Sequence, residues 1–337
     1  MTDKINALVV GAGGFGEHHA RILSCLDYQA QPDLPIIDTL AVSRTRMASA
    51  EAMPETLSRD DRCTASRIVP VQIDSVIRLQ RVLAELTPQF ISICARDRQA
   101  GDTVHAAYAS AALPYGAVLC EKPFSEATGD GRSLMACHAL FNETNASRFG
   151  LELPMAVVVR NMLRSERLRK WFARAGQVQI VWAADIRRKN MLINDLALHP
   201  WSLLHPVFEI SVIRVKNLQT RARIDLELKN RRSGRRIDGR ITLKNSGSFR
   251  GIGIDDTTIV FESSASGVKL IRLAQPLDNA SRIAHARTAG QAVLQVENPL
   301  AQNILAVLRQ RPVVGLRDTC ASQLFLERLH GWRRTIK

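Results

Sequence analysis

One segment constrains this chain more than any other. The apolar run Ala7-Leu8-Val9-Val10 leads into Gly11-Ala12-Gly13-Gly14-Phe15-Gly16, and that loop opens the helical run Glu17-His18-His19-Ala20-Arg21-Ile22-Leu23. Strand, glycine turn and helix in this order form a βα unit with a turn almost bare of side chains. Gly11 permits the tight bend, Gly13 lets the backbone approach a pyrophosphate, and Gly16 lets helix pack closely on strand. The uncapped N–H groups and dipole of the helix N-terminus then favour a diphosphate. Gly14 and Phe15 complete this loop. An ordinary glycine-rich βα turn would carry the same letters; the flanking strand and helix favour a dinucleotide fingerprint.

The next apolar strand, Ile36-Ile37-Asp38-Thr39-Leu40-Ala41-Val42, ends in Ser43-Arg44-Thr45-Arg46. A site for NAD usually has Asp or Glu here to accept from the ribose 2′-hydroxyl, whereas an NADP site has an Arg for the 2′-phosphate. A carboxylate would repel that phosphate, while Arg44 can grip it bidentately and stack on the adenine. Ser43 and Arg44 therefore predict NADP(H), with NAD(H) as the alternative. The glycine-to-selector spacing is long, which reads as a loop insertion over Asp27 to Pro35.

A chain of 337 residues exceeds what one core normally serves, so two domains are expected, at 1–160 and 161–337. No apolar run is long enough to cross a membrane. The N-terminus runs straight into the first strand, without the pattern of a signal peptide. The six cysteines (Cys25, Cys63, Cys94, Cys120, Cys137, Cys320) are scattered, with no C-x-x-C pair. They read as reduced core residues of a cytoplasmic protein. No metal-ligand spacing is present, and none is assigned.

The net charge of +14 raises the question of nucleic acid. Basic residues thicken at Arg164 to Arg174, Arg187-Arg188-Lys189, Lys229 to Arg236 and Arg333-Arg334. No aromatic-interleaved RNA motif or zinc finger accompanies them, and aromatics make up only 5% of the chain. A basic surface that attracts an anionic cofactor explains the charge better than nucleic-acid binding does.

Along the first half, strands alternate with helices. A helix is expected over Asp74 to Leu86 with Asp74 as N-cap, then a strand at Phe90 to Ala95, a helix at Thr103 to Ala112 and a strand at Tyr115 to Cys120. Further along, a helix at Ser125 to Phe141 and an edge strand at Met155 to Val159 are expected. This rhythm argues a right-handed, mostly parallel sheet. Beyond it, period-two patterns appear at Ala222/Ile224/Leu226/Leu228, Ile237/Gly239/Ile241/Leu243 and Ile252/Ile254, with Ile259 to Phe261 and Val268 to Leu270 following. They predict an antiparallel meander with one polar face. Helices close the chain near Pro299 to Arg309 and Asp318 to Trp332. The fold class is therefore α/β: an N-terminal, mostly parallel dinucleotide-binding domain plus a C-terminal α+β domain with a mainly antiparallel sheet.

Two more motifs bear on chemistry. Glu121-Lys122-Pro123 follows the strand Ala117 to Cys120, and ligands of open α/β sheets bind at the carboxyl ends of strands. A Lys there can hydrogen-bond substrate hydroxyls. Later comes Asp195-Leu196-Ala197-Leu198-His199, whose Asp and His would share a helix face. His is the usual general acid/base near neutrality. Taken singly, a Glu-Lys pair or an Asp/His pair is more often plain surface.

Taken together and in this order, the motifs resemble the Gfo/Idh/MocA oxidoreductases, whose pattern runs G-x-G-x-x-G-x-x-H, E-K-P, D-x-G-x-H-x-x-D. Here these are Gly11 to His19, Glu121 to Pro123 and Asp195 to His199, with a weak tail at Pro200-Trp201-Ser202. His105 falls near another histidine of the family. The resemblance implies a Rossmann domain, an open-faced sheet that often makes the dimer interface, and hence a homo-oligomer. It implies hydride transfer between NAD(P) and a small-molecule sugar, cyclitol or related carbinol. Lys122 and His199 would be the acid/base pair, Asp195 a substrate-orienting partner, Glu121 the support of Lys122, and Pro123 the fixed turn, often a cis bond.

The chain also departs from that pattern. Ala197 replaces a glycine, and Ser202 stands where a second Asp is common. Pro200 removes a backbone donor beside His199 and would kink a helix. Ala95-Arg96 replaces the usual threonine-proline. These changes point to an atypical substrate. Two rivals stay open: C=N reduction, as in imine-reducing members of that family, and a non-catalytic NADP-binding sensor.

Overall fold

The computed structural model describes residues 4–26, 35–95, 104–185, 192–218, 220–264, 266–277 and 290–334, with backbone only for 217–218 and 333–334. Most of the Asp27 to Pro35 insertion, Arg96, Thr103, the run Arg187-Arg188-Lys189 and the Arg333 and Arg334 side chains lie outside the described residues. The chain divides into two compact units. One comprises residues 1–126, 132–152 and 300–323, the other residues 127–131, 153–299 and 324–337.

The first unit is built on β1 (Lys4–Val10), β2 (Ile36–Arg44), β3 (Arg67–Gln72), β4 (Phe90–Ile93), β5 (Ala117–Glu121) and β6 (Phe149–Glu152). Their order is β3-β2-β1-β4-β5-β6, and every neighbouring pair is parallel. The crossover direction reverses between β1 and β4, which is where a doubly wound sheet opens a crevice for ligand. β4, β5 and β6 are buried along their whole length, as expected of parallel strands covered on both faces.

Helix α1 (Phe15–Ser24) and helix α2 (Met47–Ser58) cover one face. Ala20, Leu23 and Leu57 pack there with Val9, Leu40, Phe90 and Leu119. The same core holds Leu300, Ile304 and Val307 from the helix Pro299–Leu308, nearly 150 residues beyond β6. Gly150 of β6 makes that approach possible, because a Cβ there would lie 2.5 Å from a Val307 methyl. On the periodic helix α3 (Val76–Leu86) the N-cap is Ser75, not Asp74: its Oγ accepts from the Arg78 N–H at 3.2 Å. Helix α4 (His105–Ala112) follows. Cys137 and Cys320, far apart in sequence, meet as free thiols with their Sγ atoms 2.7 Å apart.

Two expected elements differ. In place of one helix over Ser125 to Phe141 there is only α5 (Arg132–His138), followed by α6 (Glu143–Arg148). Gly129 and Gly131 adopt φ +79 and +82, left-handed backbone that no helix accepts. The expected strand Met155 to Val159 is part of helix α7 (Pro154–Arg164), with Pro154 in its first turn. A valine run buried all round reads the same in either state, and the proline that opens the helix decides it.

In the second unit α8 (Glu166–Ala173), α9 (Leu192–Leu196) and α10 (Leu198–Leu204) accompany an eight-stranded sheet. Its strands are β7 (Gln177–Ala183), β8 (Phe208–Leu218), β9 (Arg221–Asn230), β10 (Arg236–Lys244), β11 (Arg250–Ile254), β12 (Thr257–Ser264), β13 (Gly267–Leu273) and β14 (Gln291–Glu297). They lie in the order β14-β13-β12-β11-β7-β10-β9-β8. All neighbours are antiparallel except β7 and β10, so the meander is interrupted by one parallel pair. β9 alternates strictly: Ala222, Ile224, Leu226 and Leu228 are buried, while Arg223, Asp225, Glu227 and Lys229 point the other way. That charged face is laced by Arg223–Asp225, Arg240–Asp225, Arg236–Glu227 and Lys229–Glu209 ion pairs. Among the described residues, no helix is long and apolar enough to cross a membrane.

Candidate active site

In the first unit the glycine loop is held by β2. The Gly11 N–H donates to Ser43 Oγ at 3.0 Å, and the Ala12 N–H donates to the Ser43 carbonyl at 2.8 Å. Ser43 is fully buried, so its hydroxyl serves the loop from beneath. Gly11 has φ +84, and a Cβ there would sit 2.6 Å from the Ala95 backbone. A Cβ at Gly16 would come within 2.2 Å of the Gly11 carbonyl oxygen. Gly14, with φ +54, faces open space at the start of α1, and no side chain caps that helix. An uncapped helix end behind an open glycine is a cradle that a diphosphate fits.

Arg44 closes the loop from the end of β2. A Cβ on Gly13 would lie 2.5 Å from an Arg44 guanidinium nitrogen, so the side chain lies directly over that glycine. Among the described residues its only hydrogen-bond partner is the Met53 sulfur, at 3.3 Å, and its buried Nε has none. A guanidinium held over a phosphate-type loop without a carboxylate has its donors left for an anion. Phe15, 41% exposed, packs edge-on against His18 and His19. His19 is fully buried and its Nδ1 lies 2.7 Å from Ser92 Oγ. Burial, reinforced by the charge of His18, drops its pKa to about 3 and keeps the ring neutral.

At the end of β5, Glu121 is buried, Lys122 half-buried, and the Lys122–Pro123 peptide is cis. The buried His105 ring meets the Pro123 carbonyl, Nδ1 to O at 2.7 Å, and fixes the turn. Beside Glu121, directly paired across the strands, stands Glu152 at the end of β6. It is 2% exposed; burial first, then the Glu121 charge, pushes its pKa up to about 8 against an opposing pull from Lys122. Cys94 and Cys120 complete this buried cluster, their thiols raised well above the usual range by burial and then by Glu121.

In the second unit Asp195 lies in α9 and His199 in the first turn of α10. The helices are separated at Ala197, where the missing N–H of Pro200 leaves the Leu196 carbonyl without its i+4 donor. The backbone nevertheless carries on, with Ala197 N–H to Ile193 O at 2.9 Å and Trp201 N–H to Ala197 O at 3.1 Å. The His199 ring stacks on Trp182 of β7, centroids 5.1 Å apart and planes at 14°. Arg250 places its guanidinium 5.5 Å from the same indole. Ser202 is buried and donates its hydroxyl to the His199 carbonyl at 2.8 Å, which braces the turn.

The first unit thus gathers Gly11, Gly13, Gly14, Gly16, Ser43 and Arg44 at one loop, and Glu121 and Lys122 at the end of β5. The second carries Asp195 and His199. Sequence reasoning missed Glu152 and Trp182. Glu152 ends the apolar run Phe149-Gly150-Leu151, a signal overlooked because the strand was expected at Met155 to Val159. Trp182 gives no local signal, since an aromatic in an apolar strand is ordinary core. Among the described residues no group of three His, Cys, Asp or Glu is placed to hold a metal.

Residues 5–143 match the model of the Gfo/Idh/MocA family, described as an oxidoreductase family with an NAD-binding Rossmann fold. The amino-terminal part of the chain is thus similar to the NAD-binding domain of that family. No curated protein matches the sequence. Past the matched residues, similar solved structures align along nearly the whole chain. An NAD-binding oxidoreductase from Klebsiella pneumoniae is 12% identical, covering 99% of this chain and 98% of its own, with a TM-score of 0.64. An oxidoreductase domain protein from Kribbella flavida is 14% identical over 100% and 98%, with a TM-score of 0.61. A levoglucosan dehydrogenase in complex with NADH and L-sorbose is 11% identical over 99% and 98%, with a TM-score of 0.62. At such identities the likeness concerns the fold.

Proposed function

We propose that this chain is an NADP(H)-dependent oxidoreductase that moves a hydride between nicotinamide and a small polar carbinol or carbonyl substrate, of the sugar, cyclitol or sugar-acid class. The observation that carries the cofactor choice is Arg44 over Gly13, where an NAD-selective fold would place an acid. Gly11, Gly13, Gly14, Phe15 and Gly16 would bind the pyrophosphate side, Ser43 would support the loop, Arg44 would take the 2′-phosphate, and Glu121 would face the nicotinamide side.

A nicotinamide held beside these residues would supply or accept the hydride. Lys122 stabilises the developing alkoxide charge, His199 exchanges the hydroxyl proton, and Asp195 orients the substrate. The sugar class is supported by the similar levoglucosan dehydrogenase, solved with levoglucosan. A homo-oligomer and a reducing, cytoplasmic setting belong to the same reading; the buried, unlinked thiols of Cys94 and Cys120 favour the latter. C=N reduction is the second reading. Ser202, turned onto the His199 backbone, offers no carboxylate to a polyol, and that favours it.

Titrating the purified protein with NADPH and with NADH, followed by nicotinamide fluorescence, tests the proposal. Tighter NADPH binding supports it and justifies screening polyols, sugar acids and imines. Equal affinity removes Arg44 as selector, and binding of neither removes the enzyme reading.

A further inference from the structure

The function just proposed uses Glu121 and Lys122 but leaves Glu152 without a task, although it is the most buried acid among the described residues. It ends the edge strand β6 as the direct partner of Glu121 in the parallel register. Parallel partners present their side chains to the same face, so two carboxyls lie side by side at the carboxyl end of the sheet. Both are buried, and Glu152 Oε1 has no hydrogen-bond partner among the described residues. The titratable groups facing it are Glu121 and Lys122, with the thiols of Cys94 and Cys120 in the same cluster. Two adjacent buried carboxyls do not both ionise at neutral pH, so the pair keeps one proton and one negative charge in common. Among the described residues, the cation that acts on Glu152 is the Lys122 ammonium.

We propose that Glu152 is a positioning residue for Lys122: its carboxyl, paired with Glu121 across β5 and β6, keeps the Lys122 amine protonated and directed at the end of β5. The pair answers a requirement of the chemistry. A lysine that stabilises an alkoxide must stay an ammonium as solvent is excluded, and desolvation alone drives a lysine toward the neutral amine. As pH rises the shared proton leaves, the pair gains a second negative charge, and its hold on the ammonium tightens where it would otherwise weaken.

This inference rests on Lys122 being the charged group of the proposed site, and its test reads Lys122 directly. Full-length protein without nucleotide is acetylated with limiting acetic anhydride from about pH 6 to about pH 11, a range that spans lysine titration. Peptide mapping then gives the rate at each lysine, with exposed Lys4 and Lys170 as internal references. Glu152→Gln is expected to move the Lys122 profile to lower pH by about one unit, an increase in reactivity of up to about tenfold on the rising limb. Lys4 and Lys170 should not move. Glu152→Asp, which keeps the carboxyl, should restore much of the wild-type profile, and Glu152→Met, which removes the carboxyl, replaces the Gln variant if that one fails to fold. A Lys122 profile identical in wild type and Glu152→Gln, or one that Glu152→Asp shifts as far as Gln does, overturns the proposal. The nucleotide titration stands apart. Binding without the shift would sink this role alone, and the shift without binding would sink the enzyme reading alone.

Discussion

The guanidinium of Arg44 lies over Gly13, so close that a single methyl on that glycine would displace it. The contact joins the end of β2 to the turn after β1, and it makes the proposed cofactor selector and the glycine loop one structure. Arg44→Ala should weaken NADPH by about tenfold or more, the worth of a charge-assisted contact, and leave NADH nearly unchanged. Gly13→Ala should reproduce part of that loss, because the atom it meets is the movable end of a side chain. Parallel fluorescence titrations check both; equal losses for the two nucleotides would show that Arg44 does not read the 2′-phosphate.

Gly16→Ala should behave differently. Its Cβ would meet the Gly11 carbonyl oxygen, which is backbone, and Gly11 is itself wedged against Ala95. Relief requires α1 to move off the sheet, at a cost of about 1–3 kcal/mol. Both the melting temperature and nucleotide affinity should fall, whereas Gly13→Ala should leave the melting temperature unchanged.

Lys122→Ala should lower turnover by roughly 10²–10⁴-fold on the first carbinol or carbonyl compound that the enzyme accepts, with nucleotide affinity retained. Steady-state rates beside a nucleotide titration give the answer. A near wild-type rate would remove Lys122 from the mechanism.

His19 makes the protein acid-sensitive. Its folded-state pKa is about 3, below the ordinary value of 6.5, so the unfolded chain binds the proton first as pH falls. The stability that neutral His19 contributes is therefore complete above about pH 6.5 and drains away between there and about pH 3. At pH 5 the loss is about 2 kcal/mol. His19→Gln should flatten that part of the profile, as read by urea midpoints at neutral and mildly acid pH.

The glycine loop, β2 and the Glu121-Lys122-Pro123 turn were legible because each rule acts over a few adjacent residues. Glycine geometry, strand ends and charge at strand ends need no tertiary partner. What was not legible depends on distant residues. Met155 to Val159 has a strand's composition and a helix's surroundings, and only Pro154 hinted at the outcome. Ser43 was read with Arg44 as a selector, but its burial beneath Gly11 follows from the register of β1 on β2. Glu152 became visible only once β6 was paired with β5. Trp182 needed β7 to be set beside α10, a neighbourhood that no window of sequence contains.

The helix Pro299–Leu308 closes the core under β1, β4 and β5, and Gly150 leaves room for it. During synthesis the nucleotide-binding sheet therefore waits, its strands complete but one apolar flank bare, until nearly nine-tenths of the chain has left the ribosome. A fragment cut after β6 would carry every glycine of the loop and still expose Leu119 and Phe90 to water. Cutting out the cofactor-binding half for expression would then give an aggregating polypeptide, and the remedy would be to graft residues 300–323 back onto its end.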